Sequence, residues 1–220
     1  GTLLSLDVVL FYFFWEVMLL PVFLLIGLYG FGDKVFTTIK VTVYTMVGSL
    51  LMFIAILYLG VAYHNEFGVW SFAYDKLMQI TTIPYDVKVW LFLAFLAAFA
   101  IKIPIFPLHT WIMETYSNAP TGAVFLLSSI MAKLGVYAIV RFMIPIFPDI
   151  YVEYSTWLVA VGLFGLIYFG IAALMQDDIK RMFAYSSASH LSFIAAGIFS
   201  LSAYGINGAL YLIIAHAIAT

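Results

Sequence analysis

Between Pro120 and Pro145 the chain runs through a long apolar stretch, and at its centre stands Lys133, in SSIMAKLGVYAIV. Lys133 follows Pro120 by 13 positions and precedes Pro145 by 12. In a helix rising 1.5 Å per residue it lies roughly 18 Å from either end. The hydrocarbon half-thickness of a bilayer is only about 15 Å. A lysine stem is too short to snorkel from there to the headgroups. An ammonium at the bilayer centre costs on the order of 3 kcal/mol or more. Lys133 must therefore face protein, water or a partner charge.

The rest of the composition agrees with a membrane setting. The chain has 220 residues, of which 65% are hydrophobic and 9% charged, and its mean hydropathy is +1.12. A soluble domain carries about 25% charged residues. These values read as an integral membrane protein. The net charge of -2 gives no reason to expect nucleic acid as a partner. The absence of cysteine excludes thiolate-held iron–sulfur clusters, a CxxC redox motif and disulfides. Residues 3–28 are too long and lack the basic flank for a signal peptide. The chain stops within an apolar run, so the sequence reads as an internal fragment of a longer polypeptide.

Apolar runs near the spanning length of about 20 residues mark the helices. They cover 6–29, 38–62, 87–103, 121–144, 156–175 and 182–201, with a seventh beginning near Gly205. A polar stretch at 63–86 carries His64, Glu66, Asp75, Lys76 and Asp86. The expected fold is all-α, a single polytopic transmembrane helix bundle over 1–220 with about seven spans, one of them broken. Lys34, Lys40, Lys180 and Arg181 fall on one side if every segment spans, and the positive-inside rule places that side in the cytoplasm.

Five residues are candidates for chemistry. Glu16 stands roughly 15 Å into the first helix, and Pro21 frees the carbonyl of Val17 beside it. Lys102 directly precedes the break KIPIFP, where Pro104 frees the carbonyl of Ala100 and Pro107 that of Ile103. Broken helices at membrane depth are tolerated where they line a cavity or are buried in protein. The segment that follows, TWIMETYSNAP, reads as too polar and irregular for a plain continuation. Lys133 is the third candidate, and His190 and His216 stand in the sixth and seventh helices. Burial disfavours a charged form and a nearby opposite charge restores it, so such groups can exchange protons near neutral pH. The competing reading of each is static: a salt bridge pinning two helices, a helix end near the interface, a satisfied core histidine. His64 and His109 read as loop or boundary residues. Glu114, Asp177, Asp178, Lys180 and Arg181 read as solvated or interfacial charges. Gly27, Gly30 and Gly32 join two helices rather than a strand and a helix, which argues against a phosphate loop. Gly162, Gly165 and Gly170 suit close helix packing. No metal-ligand spacing is present.

Six segments carry a resemblance: WEVMLLP from Trp15, KIPIFPLHTW from Lys102, NAPTGAV from Asn118, AKLGVYAIVRF from Ala132, DDIKRMFAYSSASHLSF from Asp177 and NGALYLIIAHAIAT from Asn207. Together they resemble the antiporter-like membrane subunits of respiratory complex I, the NADH–quinone oxidoreductase. The resemblance runs through essentially the whole chain. It implies an antiporter-like fold of two inverted five-helix repeats, of which this chain holds most of the first, including its broken helix. It implies that Glu16 pairs with Lys102 as a switch and that Lys133 is the next proton carrier. His190 and His216 would continue the path. NADH, flavin, iron–sulfur clusters and quinone would be bound by other subunits, and this chain would carry no redox site or cofactor. Its partners would be the neighbouring membrane subunits and the lipid bilayer, in a bacterial cytoplasmic membrane. Two alternatives stay open: a subunit of a multisubunit cation/proton antiporter or membrane-bound hydrogenase, and a structural scaffold whose buried charges only fix helix contacts.

Overall fold

The computed structural model describes residues 1–219, and no strand occurs among them beyond one isolated bridge between Asp7 and Ala73. Its main helices are α1 (Val8–Tyr29), α2 (Lys34–Phe67), α3 (Tyr85–Lys102), α4 (Thr110–Asn118), α5 (Thr121–Ile146), α6 (Pro148–Leu174), α7 (Ile179–Phe199) and α8 (Ala203–Ala219). Five of them, α1, α2, α5, α6 and α7, are long and apolar enough to cross a membrane. The helices α3 and α8 are apolar but shorter, so the seven expected apolar runs are all helical.

Local chemistry sets the helix ends. Asp7, Asp33 and Asp178 accept hydrogen bonds from backbone N–H groups in the first turns of α1, α2 and α7. These satisfy donors that a helix start leaves orphaned. The helix α2 runs to Phe67, past the expected end at 62, and stops at Gly68, whose φ of 76° needs glycine. The helix α6 starts at Pro148 rather than 156. Proline is preorganised for the first turn and Asp149 favours the positive end of the helix dipole. Hydropathy alone reads these charged turns as loop. Across the loop between α2 and α3, the Glu66 carboxylate accepts hydrogen bonds from the backbone and hydroxyls of Thr81 and Thr82.

Two helices are interrupted, where one break is expected. The helix α1 divides at Met18, because Pro21 cannot donate to Val17. The second break lies between α3 and α4. The segment expected to be irregular holds a nine-residue helix, α4. Its polar residues are not solvated loop residues but the face that docks on α2. Thr37, Lys40 and Tyr44 meet Asn118, Glu114 and Thr110 in antiparallel order. Asn118 donates to the Thr37 hydroxyl at 2.7 Å, Lys40 pairs with Glu114 at 2.9 Å, and the Tyr44 and Thr110 hydroxyls stand 2.8 Å apart. Glu114 is therefore a half-buried ion-pair partner rather than a free surface charge. His109 likewise is buried in the break, its ring against Phe106 and Phe169.

Elsewhere the bundle closes through small residues and aromatic stacks. Lipid tails give apolar helices no hydrophobic reason to associate, so close van der Waals contact has to hold them. A Cβ added at Gly162 would stand 2.9 Å from the Ala196 Cβ, and one at Gly165 would stand 2.7 Å from the Ser192 hydroxyl. These two glycines seat α6 against α7; Gly170 makes only ordinary contact there. Between α1, α3 and α5, Phe11, Trp15, Phe99, Phe95 and Phe142 pack ring to ring.

Gly162→Leu overpacks the α6–α7 contact and should destabilise the protein by about 1–3 kcal/mol in thermal unfolding in detergent. Gly122→Ala, where an added Cβ meets nothing within 4 Å, should leave the transition in place. Removing Lys40 and Glu114 singly and together should give a coupling energy of about 1 kcal/mol in a double-mutant cycle.

Candidate functional site

Glu16, Lys102 and Lys133 sit where the backbone departs from a regular α-helix or beside such a place, whereas His190 and His216 stand within regular helices. Glu16 lies two residues before the interruption of α1 at Met18 and is half-buried. Its Oε1 has no hydrogen-bond partner among the protein atoms. Lys102 is the last residue of α3 and is 3% exposed. It is therefore a core residue and not a helix end at the interface. The carbonyls released by the break find other donors: Ile105 N–H donates to Ala100 at 2.9 Å, and the Trp111 indole donates to Ile101 at 3.0 Å.

The Lys102 ammonium lies 4.9 Å from the ring centroid of Trp15 and has no hydrogen-bond partner in the protein. It does not form the expected ion pair with Glu16. The sole ion pair within 4.0 Å among the described residues is Lys40–Glu114. The reason is helical geometry. Trp15 and Glu16 are consecutive and point about 100° apart around α1, and the indole face holds the ammonium. A cation over an indole face is attracted by the ring quadrupole, by about 2 kcal/mol when desolvated.

Lys133 occupies the middle of α5, in the α-helical turn Ala132–Ala138. On either side the helix widens into π-helical segments, Leu127–Met131 and Ile139–Met143. Widened turns of this kind leave carbonyls available to other donors and recur at functional sites. Here the Lys133 ammonium donates to the Ser128 carbonyl, in the first of these segments. It also lies 2.7 Å from Nδ1 of His216 on α8. The His190 ring on α7 lies 5.5 Å from that of His216. Lys133 and His216 are buried, while His190 faces an open groove.

The fold thus gathers the five residues into two groups. One is Glu16 and Lys102, with Trp15 against the lysine; the other is Lys133, His216 and His190. Gly135 joins them. A Cβ there would fall 2.7 Å from Ile103 Cγ1, 3.1 Å from the Phe99 carbonyl and 3.3 Å from Lys102 Cβ. The glycine of AKLG lets the broken end of α3 lie directly on the helix that carries Lys133. A cavity of about 10 Å³, lined by Lys102, Trp111, Leu127, Met131 and Ala132, lies beside Lys102. It has room for about one water molecule. An amine hydrogen-bonded to an imidazole can pass a proton to it, and a second imidazole extends that path. Hydropathy and periodicity give no sign of Trp15, Gly135 or the two π-helical segments as parts of this site. The spacing of Gly135 two residues beyond Lys133 is the one cue in the sequence.

A family model described as "NADH:quinone oxidoreductase/Mrp antiporter, TM" matches residues 5–220. NADH-quinone oxidoreductase subunit M of Escherichia coli K12 is 38% identical over 98% of this chain and 43% of its own length. The subunit M of Pseudomonas aeruginosa is 36% identical over the same shares. A chain of respiratory complex I from Thermus thermophilus superposes with a TM-score of 0.87 at 32% identity, over 97% of this chain and 45% of that one. A chain of the Mrp complex from Dietzia shares the fold alone, with a TM-score of 0.82 at 23% identity over 99% of this chain and 23% of that one. The present chain spans less than half the length of the subunit M relatives. With its interrupted helices and its adjoining amines and imidazoles, the chain belongs to the NADH:quinone oxidoreductase/Mrp antiporter family of transmembrane subunits.

Proposed function

We propose that this chain is the proton-carrying part of a complex I membrane subunit of the M type, in a bacterial cytoplasmic membrane. The observation that carries this reading is the buried contact between Lys133 and His216, with His190 beyond it and Lys102 across Gly135. A scaffold would satisfy its polar groups or replace them with apolar ones. Here the Lys102 ammonium and the Oε1 atom of half-buried Glu16 are kept from the surface without hydrogen-bond partners in the protein. Leaving such groups unpaired is costly, so they mark function by default in a membrane.

The proposed mechanism uses electrostatics between two positions of Lys102. Held toward Glu16, its charge is compensated. Released toward α5, it repels a protonated Lys133 and favours passage of that proton to His216 and on to His190. Moving a unit charge from about 12 Å to about 6 Å away at an effective dielectric of about 20 changes the interaction by about 1.4 kcal/mol. That alters a proton equilibrium about tenfold. The interruptions next to Glu16 and Lys102 supply the freedom for such a movement. Electron transfer from NADH to quinone, with its flavin and iron–sulfur clusters, is assigned to other subunits of the assembly. Neighbouring antiporter-like subunits and lipid are the proposed partners in the membrane.

The family description also covers Mrp antiporters, and the subunits that co-purify with the intact chain distinguish the two assemblies. The direct test is proton pumping by the intact complex in vesicles, with NADH oxidation followed in parallel. Lys102→Ala should lower pumping about tenfold and slow oxidation with it, because the switch charge is gone. Unchanged pumping would assign the buried charges to helix packing.

A further inference from the structure

A groove of about 520 Å³ opens beside the Lys133–His216 pair, and its wall includes Lys180, Tyr116, Ser187, Ser128, His190 and His216. These residues come from four helices, α4, α5, α7 and α8, so the alignment is a product of the tertiary fold. Their order in depth is graded. Lys180 stands in the first turn of α7, at the membrane edge, where its ammonium donates to the Ala119 carbonyl. Tyr116 lies near the same end of α4. Ser187 is about 12 Å along α7 and Ser128 about 10 Å along α5, at 1.5 Å per residue. His190 and His216 lie deeper still.

Three of these side chains play no part in the proposed switch. The Tyr116 hydroxyl is sealed from the surface and so is that of Ser187, yet neither closes a hydrogen bond in the protein. Tyr116, Ser187 and Ser128 line the same groove. A tyrosine hydroxyl in a wholly packed interior normally finds a partner. Ser128 has a second role, because its backbone carbonyl accepts the Lys133 ammonium. The groove that Tyr116 and Ser187 line is therefore also lined by the residue that holds the central lysine. Packing needs are met without these groups: phenylalanine fills the tyrosine site, and alanine fills Ser187 with one atom fewer.

We propose that Tyr116, Ser128 and Ser187 form a hydroxyl relay that carries protons from the Lys180 end of the groove to the Lys133–His216 pair. This rests on the proton-translocating reading above. Each hydroxyl donates its own proton inward and takes another from the side of the groove mouth, so no hydroxyl changes charge. Water in the groove supplies the first proton and bridges to His190 and His216. The net result is one proton gained by the amine or imidazole and one lost from water at the mouth.

The test uses the intact complex in vesicles and compares Tyr116→Phe, Ser187→Ala, the double variant and Lys133→Ala. Pumping is measured with NADH oxidation, in H2O and in D2O. Tyr116→Phe should slow pumping about tenfold, at the low end of what one proton-transfer group contributes, and should raise the solvent isotope effect. Ser187→Ala should move both in the same direction. The double variant should be no slower than Tyr116→Phe, since the groups act in series. A purely structural hydroxyl would leave the isotope effect unchanged. If Tyr116→Phe fails to assemble, Ser187→Ala decides alone. Normal pumping and isotope effect in Ser187→Ala, with Tyr116→Phe normal or unassembled, overturn the relay. In that outcome, a pumping defect in Lys133→Ala leaves the proton-translocating reading standing, while normal pumping in Lys133→Ala removes both.

Discussion

Everything in this fold answers to the expense of keeping Lys133 and Lys102 away from bulk water. Lys133 is too deep to reach the headgroups, and both lysines are almost completely enclosed. Each is met by a different device. Lys133 takes a carbonyl that a π-helical turn leaves available and an imidazole from α8. Lys102 takes only the face of an indole. The better-satisfied lysine sits in the continuous helix and the less-satisfied one at a break. That asymmetry is what a device needs if one charge is to move while the other relays.

The breaks are local consequences of proline chemistry, and their repair shows which groups are meant to stay fixed. The carbonyls of Ala100 and Ile101 are both recaptured, one by a backbone amide and one by Trp111. The half-helix α4 is then held to α2 by three polar contacts at helical spacing. Lipid offers apolar faces no preference for one register over another, whereas an ion pair flanked by two hydrogen bonds specifies one. The far side of the break is thereby anchored, and the Lys102 end is left with the freedom.

Much of the fold is legible in the sequence because lipid imposes one rule: apolar runs of spanning length become helices. The seven runs, the break after Lys102 and the close packing at Gly162 and Gly165 can all be read from residue order. The charged first turns of α6 cannot, since hydropathy reports what is apolar and a helix extends beyond it. The nature of α4 is hidden for a related reason. Thr110, Glu114 and Asn118 look like a loop until Thr37, Lys40 and Tyr44 are set beside them at matching spacing. The site is legible as a set of residues and not as a geometry. Nothing in the order of residues places Trp15 rather than Glu16 against Lys102, or His216 against Lys133 across 83 positions.

The central claim is that the two groups of charged residues form one continuous, hydrated line through an otherwise apolar bundle. Cryo-electron microscopy of the intact complex in lipid nanodiscs, in maps that show ordered water, tests it most directly. Ordered water should appear at the crossing of Lys102 and Gly135 and along the groove beside His190 and His216. Dry, close-packed side chains at both places would contradict it, because protons cannot then pass between the lysines.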